Sequence, residues 1–215
     1  MAMPAQTSEA PVNADKPAGR PFTLWQTPGE LSVDEWIELN AHGDGSRYEL
    51  IDGSLIVSPA PPPQHQWIGD NLRQLLHTAI GDELAAITAT GVLLDDSPGV
   101  IPDVIVVERQ PIRDGARLIS SGWVHLAVEI VSKSTTVTDR RVKPIKYAES
   151  GIPHFWRIEM LPFRGQMNRR LPVIYTYALD KETGYQLTHQ VAAGETVELT
   201  DPFKLTLDPA KLAEI

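Results

Sequence analysis

Three acidic residues stand where acids are costly, and their surroundings point to chemistry. Glu129 lies inside Leu126-Ala-Val-Glu-Ile-Val131, an apolar run of the kind that forms a central strand. A lone carboxylate buried there costs several kcal/mol unless a cation, a hydrogen-bond network or a raised pKa offsets it. Asp103 follows Pro102 and opens Val104-Ile-Val-Val107, at the mouth of a second apolar strand. Glu49 falls in Arg47-Tyr-Glu-Leu-Ile51, where period-two alternation puts it on one face with Arg47 and Ile51, opposite Tyr48 and Leu50. Each acid alone has a plain structural reading: a buried salt bridge for Glu129, a turn residue for Asp103, a surface pair with Arg47 for Glu49. Together, three acids on three strands offer the oxygen-rich ligand set that Mg²⁺ or Mn²⁺ prefers.

The elements that must position these acids can be read from pattern. Ser32 followed by Glu35 is a capping box opening a short helix over 31–39. Asp52-Gly53 between two strand-like runs predicts a type I′ hairpin. Pro59 and Pro61–Pro63 stop the second arm, and Ile68, Leu72, Leu75, Leu76 and Ala79 then recur at helical spacing, predicting a helix of about four turns packed on a sheet. Strands are expected at 85–94, 104–107, 126–131, 154–158, 173–179 and 185–191. A second helix is expected over 139–150, with Thr138 or Asp139 as its cap and Gly151 as its left-handed stop. A short helix closes the chain at 208–215. Trp36, Trp67 and Trp156 read as core; Trp123 reads equally as core or as an exposed contact.

Composition narrows the function classes. The chain has 215 residues, 19 of them Lys or Arg and 28 Asp or Glu, for a net charge of −9, and no cysteine. This length and an ordinary apolar share suffice for one domain with appendages. Without cysteine there is no disulfide or thiolate metal site, and a reducing, cytoplasmic setting is expected. The first 24 residues, rich in Ala, Pro and small polar residues, read as a flexible tail without a secretory signal. No stretch approaches the roughly 20 apolar residues needed to cross a bilayer. An acidic chain does not coat nucleic acid by bulk electrostatics. Any such contact is local, and Lys and Arg bunch at Arg140, Arg141, Lys143 and Lys146, then at Arg164, Arg169 and Arg170. The second bunch reads as a solvated loop. No Gly-rich turn joins a strand to a helix, so a nucleotide-cradling loop is excluded.

Five ordered motifs carry a resemblance. They are Arg47-Tyr-Glu-Leu-Ile-Asp-Gly-Ser-Leu55; Ser58-Pro-Ala-Pro61 with His65 following; Pro102-Asp-Val-Ile-Val-Val107; Val128-Glu-Ile-Val-Ser-Lys-Ser-Thr135; and Lys143-x-x-x-Tyr147-Ala-x-x-Gly151-Ile-Pro-x-Phe155-Trp156. Their order over residues 31–180 resembles the Uma family of restriction endonucleases, a branch of the PD-(D/E)XK nuclease superfamily. The resemblance implies an α/β (α+β) restriction-endonuclease-like core, a mixed β-sheet flanked by helices, forming a single domain over 25–215. It implies Asp103 and Glu129 as metal-binding acids, Glu49 as the extra acid from the hairpin, Mg²⁺ or Mn²⁺ as cofactor and DNA as substrate. The superfamily's usual lysine, two residues after the strand acid, is replaced by Val131. The resemblance moves that role to Lys143, although Pro144 next to it disfavours a regular helical turn there; Lys133 and Lys146 are the alternatives, Lys146 reading mainly as solvated. His65, Lys133, Arg140 and Tyr147 are candidate substrate contacts. A homodimer is expected, since two strands must be spanned. The competing classes are a catalytically silent nucleic-acid-binding or oligomerisation module, and a structural protein with buried salt bridges.

Overall fold

A computed structural model describes residues 23–26, 31–41, 45–95 and 98–215. The expected tail lies outside them up to residue 22. The first strand, β1 (Thr23–Gln26), pairs antiparallel with the second arm of the hairpin. The capping box forms, Ser32 N donating to Glu35 Oε2 at 2.8 Å and Glu35 N to Ser32 Oγ at 3.3 Å, and α1 runs Val33–Ala41. The hairpin β2 (Arg47–Ile51) and β3 (Ser54–Ser58) turns through Asp52 and Gly53 at φ 50° and 72°, the two left-handed residues that a type I′ turn requires.

Helix α2 (Pro63–Ala79) starts on a proline that needs no N–H there. The strand expected over 85–94 is two strands in two sheets: β4 (Leu84–Thr88) and β5 (Val92–Leu93). Ala89 takes a positive φ of 48° and breaks the run, and its N–H is spent on Asp103 O at 3.1 Å. Then come β6 (Pro98–Val100), β7 (Val104–Glu108), the short α3 (Gln110–Arg113), β8 (Ile119–Ser120) and β9 (Val124–Val131). A π-turn (Thr138–Val142) leads into α4 (Lys143–Glu149). The chain finishes with β10 (His154–Glu159), β11 (Val173–Asp180), β12 (Gly184–Ala192), β13 (Val197–Leu199), β14 (Leu205–Leu207) and α5 (Pro209–Ala213).

The main sheet has six strands in the order β12-β11-β10-β9-β7-β4. Only β9 and β10 pair in parallel; the other neighbours are antiparallel. Alternation on the fully buried central strands divides the core. Val104, Val106, Leu126, Val128 and Ile130 meet Ile68, Leu72 and Leu76 of α2 on one face, while Ile105, Val107, Ala127 and Phe155 meet Tyr147 and Ile152 on the other. The result is a mixed α+β sandwich, helix on each side of the sheet, as expected.

Two further readings need correction. Trp67 is not core: it is 42 % exposed, and its indole N–H donates to Glu214 O at 2.6 Å, pinning the chain end beyond α5 to α2. Neither Thr138 nor Asp139 caps a helix that begins at 139. Helical hydrogen bonding has already begun, with Asp139 N donating to Thr135 O at 2.9 Å, and both residues are buried.

Candidate functional site

Register brings the acids together. Val104 pairs with Val128 across β7 and β9, so Asp103 and Glu129, the next pair outward, stand side by side. Glu129 shares a face with Ala127, on the α4 side of the sheet. Glu49 arrives from the hairpin, where its Oε1 accepts the Ile101 backbone N–H at 2.7 Å. That loop is held by tight packing: a Cβ on Gly99, which has φ +104°, would lie 2.4 Å from the Trp36 ring, so β6 can press on α1 only with glycine at this place.

Lys143 meets these acids from α4. Its Nζ lies 2.8 Å from Glu49 Oε1, 3.1 Å from Glu129 Oε1 and 3.6 Å from Asp139 Oδ1. Pro144 does not prevent this, because the turn before it is widened. Lys143 N donates to Thr138 O, five residues back, and such a π-turn relieves the clash between a proline ring and the carbonyl four residues before it. The same widening turns Asp139 inward. Asp139 is 1 % exposed, and its Oδ1 has no hydrogen-bond partner. This is the site residue that sequence reasoning missed; its spacing of four from Lys143 was the signal available.

Asp103 is held by other groups. Its Oδ2 accepts the Ile130 N–H at 2.8 Å and lies 3.2 Å from His65 Nε2, while Oδ1 pairs with Arg47. The anticipated Arg47–Glu49 pair is thus exchanged for two pairs, Arg47 with Asp103 and Lys143 with Glu49. His65 also reaches Ile130 O at 2.9 Å, and the Tyr147 hydroxyl donates to Glu129 Oε1. Glu49, Asp103, Glu129, Asp139, Lys143, His65 and Lys133 line one cavity of about 360 Å³, walled by Pro59–Pro62, the 132–135 loop, Met160 and Leu161.

Other candidates are placed elsewhere. Lys133 is exposed at the rim, because β9 ends at Val131. Arg140 gives both its bonds to Glu159, at 2.8 and 2.7 Å, and faces a different groove. Lys146 pairs with Asp52 and Glu149 at 2.7 and 2.9 Å, away from the cavity. Trp123 is 43 % exposed.

The electrostatics follow from four buried acids facing two fixed cations, Arg47 and Lys143. Fully ionised, the cluster carries two negative charges in excess. Burial pushes the Asp139 carboxyl up to about 7 against the pull of Lys143. Burial likewise holds Glu129 well above the usual carboxylate range, Lys143 opposing it and the neighbouring acids adding to it. Asp103 goes the other way. Burial would raise it, but the hydrogen bond and charge of His65, with Arg47 and Lys143, bring it down to about 2. Burial acts to deprotonate Lys143, yet the charges of Glu129, Glu49 and Asp139 overcome it and keep the ammonium firmly protonated.

A divalent cation fits this cluster by charge and by donor type. It would favour the ionised form of the carboxyls that burial raises, the donors are hard oxygens, and the buried Oδ1 of Asp139 has no hydrogen-bond partner. The present spacing is another matter. Among the described residues no three acidic or histidine side chains stand close enough to hold one ion, for Lys143 parts Glu49 from Glu129 while Arg47 and His65 hold Asp103.

Comparison with known proteins agrees with the fold. A solved structure from Anabaena variabilis, titled a "putative nuclease belonging to DUF820", superposes with a TM-score of 0.63 at 15 % identity, covering 85 % of this chain and 97 % of that one. No curated protein matches. The model of the Uma2 family, described as "Putative restriction endonuclease", matches residues 33–210, which is most of the chain: the protein belongs to the Uma2 family.

Proposed function

We propose that this protein is a metal-dependent endonuclease that hydrolyses DNA phosphodiester bonds. The observation that carries the reading is the convergence of four buried carboxylates and one buried lysine, from separate elements, on one open cavity. A fold does not need such a cluster. Breaking one buried charge pair costs about 3–5 kcal/mol, and apolar side chains of similar size would pack here without that exposure to damage.

Glu49, Asp103 and Glu129 would hold Mg²⁺ or Mn²⁺. Bound there, such an ion polarises a phosphate and lowers the pKa of a water. The protein's own groups have separable tasks. Asp103, kept ionised by Ile130 N–H, His65 and Arg47, is a fixed anionic anchor. Tyr147 orients Glu129, and Ile101 N–H orients Glu49. Lys143 is held protonated by three carboxylates, so it suits orienting a water and offsetting charge on the phosphate, not taking up a proton. Asp139, with its carboxyl raised to about 7 and its Oδ1 near Lys143 but without a hydrogen bond, is the better proton acceptor near neutral pH. Lys133, exposed on the cavity lining, would meet the phosphate, whereas His65, Arg140 and Tyr147 act through Asp103, Glu159 and Glu129.

A second reading, a catalytically silent nucleic-acid-binding module, is favoured by one observation, the present parting of the acids by Lys143. Calorimetric titration with Mn²⁺ separates the two. The nuclease reading expects saturable binding that Asp103→Asn weakens at least about tenfold, roughly the loss of one charge-assisted ligand. Absence of binding by the unaltered protein would exclude the metal-dependent nuclease and leave the silent module or the structural protein with buried salt bridges. A homodimer in a reducing, cytoplasmic setting completes the proposal, supported by the two strands of a duplex substrate and by the lack of cysteine.

A further inference from the structure

The acidic character of this chain is unevenly distributed. Residues 140–175 contain eight Lys or Arg and two Glu or Asp, a net +6, so the rest of a chain whose total is −9 carries −15. That stretch is also spatially organised. The Arg140 guanidinium lies 5.2 Å from the centre of the Phe163 ring, Phe163 meets Tyr175 edge-on at 6.2 Å, and Arg157 lies 4.7 Å over Tyr175. Arg140 and Arg157 both pair with Glu159, which is fully buried. They are therefore structural, and their charge is partly spent. Arg141, Arg164, Arg169 and Arg170 are different: among the described residues, none is in an ion pair, and all but the half-exposed Arg169 are exposed. The loop that carries three of them begins at the cavity wall. Leu161 lines the cavity, and Arg164 is three residues on, at most about 11 Å along the chain; Arg141, between the inward-facing Asp139 and Lys143 on a helical turn, faces away from the cavity.

We infer that Arg164, Arg169 and Arg170 form a track for the phosphate backbone of a nucleic acid strand entering the acidic cavity. This rests on the nuclease reading for what happens at the end of the track, not for the track itself. A cluster of four acids repels a polyphosphate, and a chain of net −9 has no bulk attraction to offset that, so unpaired cations on the loop that leads from the cavity wall are what binding requires. Arginine suits the task, because its planar fork can take a phosphate with two hydrogen bonds.

The test is fluorescence anisotropy of labelled single- and double-stranded oligonucleotides with the full chain in EDTA, so that binding is read without cleavage. Arg164→Glu, Arg169→Glu and Arg170→Glu combined are expected to weaken binding by more than about tenfold and to flatten its salt dependence by about one unit of log–log slope for each phosphate no longer held. The corresponding Gln variant, which disturbs folding less, is expected to show a smaller loss in the same direction. Lys181→Glu, Lys204→Glu and Lys211→Glu combined make the same charge change on exposed residues outside the track and are expected to lose little. Equal loss in that control, no loss in the arginine variants, no binding by the unaltered chain at low salt, or a change of oligomeric mass in place of a change in affinity would overturn the track. Binding through these arginines by a chain that never cuts would leave the track standing and remove the nuclease; cleavage with arginine-independent binding would do the reverse.

Discussion

Lys143 is the residue at which the charges of the site balance or fail to balance. Its ammonium, 3 % exposed, compensates Glu49, Glu129 and Asp139, and it stands where a divalent ion would have to enter. Lys143→Met should therefore have two opposite effects. Without metal the protein loses about 3–5 kcal/mol, the usual result of leaving buried charges unpaired. With Mg²⁺ or Mn²⁺ the variant recovers more melting temperature than the unaltered protein does, because an ion that binds only the folded state stabilises it by mass action. Thermal melts in EDTA and in excess divalent ion measure both; equal metal-induced shifts in the two proteins would mean that Lys143 and the ion do not share a place. At this scale the sequence was informative where burial cost was visible. Glu129 inside an apolar run and Asp103 at the head of another were legible, because an acid in such a place needs a partner. Asp139 was not, because its inward aim depends on a π-turn that changes which side of a helix faces the sheet, and its spacing of four from Lys143 does not by itself mark that change.

Elements place these side chains with little slack. The capping box, the Asp52-Gly53 turn and α2 were legible because each follows from local chemistry: reciprocal caps, two left-handed residues, an apolar face of period 3.6. The misread elements depend on distant groups. The apolar run 85–94 breaks at Ala89 because its backbone is drawn to Asp103, and Trp67 is held outward by the Glu214 carbonyl. Glu49 depends on a similarly remote support, the press of β6 on Trp36. Gly99→Ala should be costly on two counts, a Cβ 2.4 Å from the Trp36 ring and a φ of +104°, and a loss of about 3 kcal/mol or more is expected. Since β6 leads to Ile101, whose N–H holds Glu49, divalent-ion affinity should fall with it. Urea denaturation and Mn²⁺ titration check the pair; unchanged stability would mean that β6 yields, and that the glycine is not what fixes Glu49.

At the scale of the whole molecule, a six-stranded mixed sheet between helices brings its acids to one cavity. Among the described residues no helix is long and apolar enough to cross a membrane. A duplex has two strands to cut, and one cavity cuts one, so the proposed endonuclease should be a homodimer; light scattering at micromolar concentration should give twice the mass of 23.7 kDa, and a monomer would contradict this. The most direct test of the central claim is conversion of supercoiled plasmid to nicked and linear forms by the purified protein with Mg²⁺ or Mn²⁺, beside Glu129→Gln, which removes a charge and almost no volume. Metal-dependent nicking that falls by about a hundredfold or more in Glu129→Gln, in the range seen when a group acting on the transition state is removed, is the expected result. Nicking of equal rate in the variant would place the chemistry, and the function of this cavity, elsewhere.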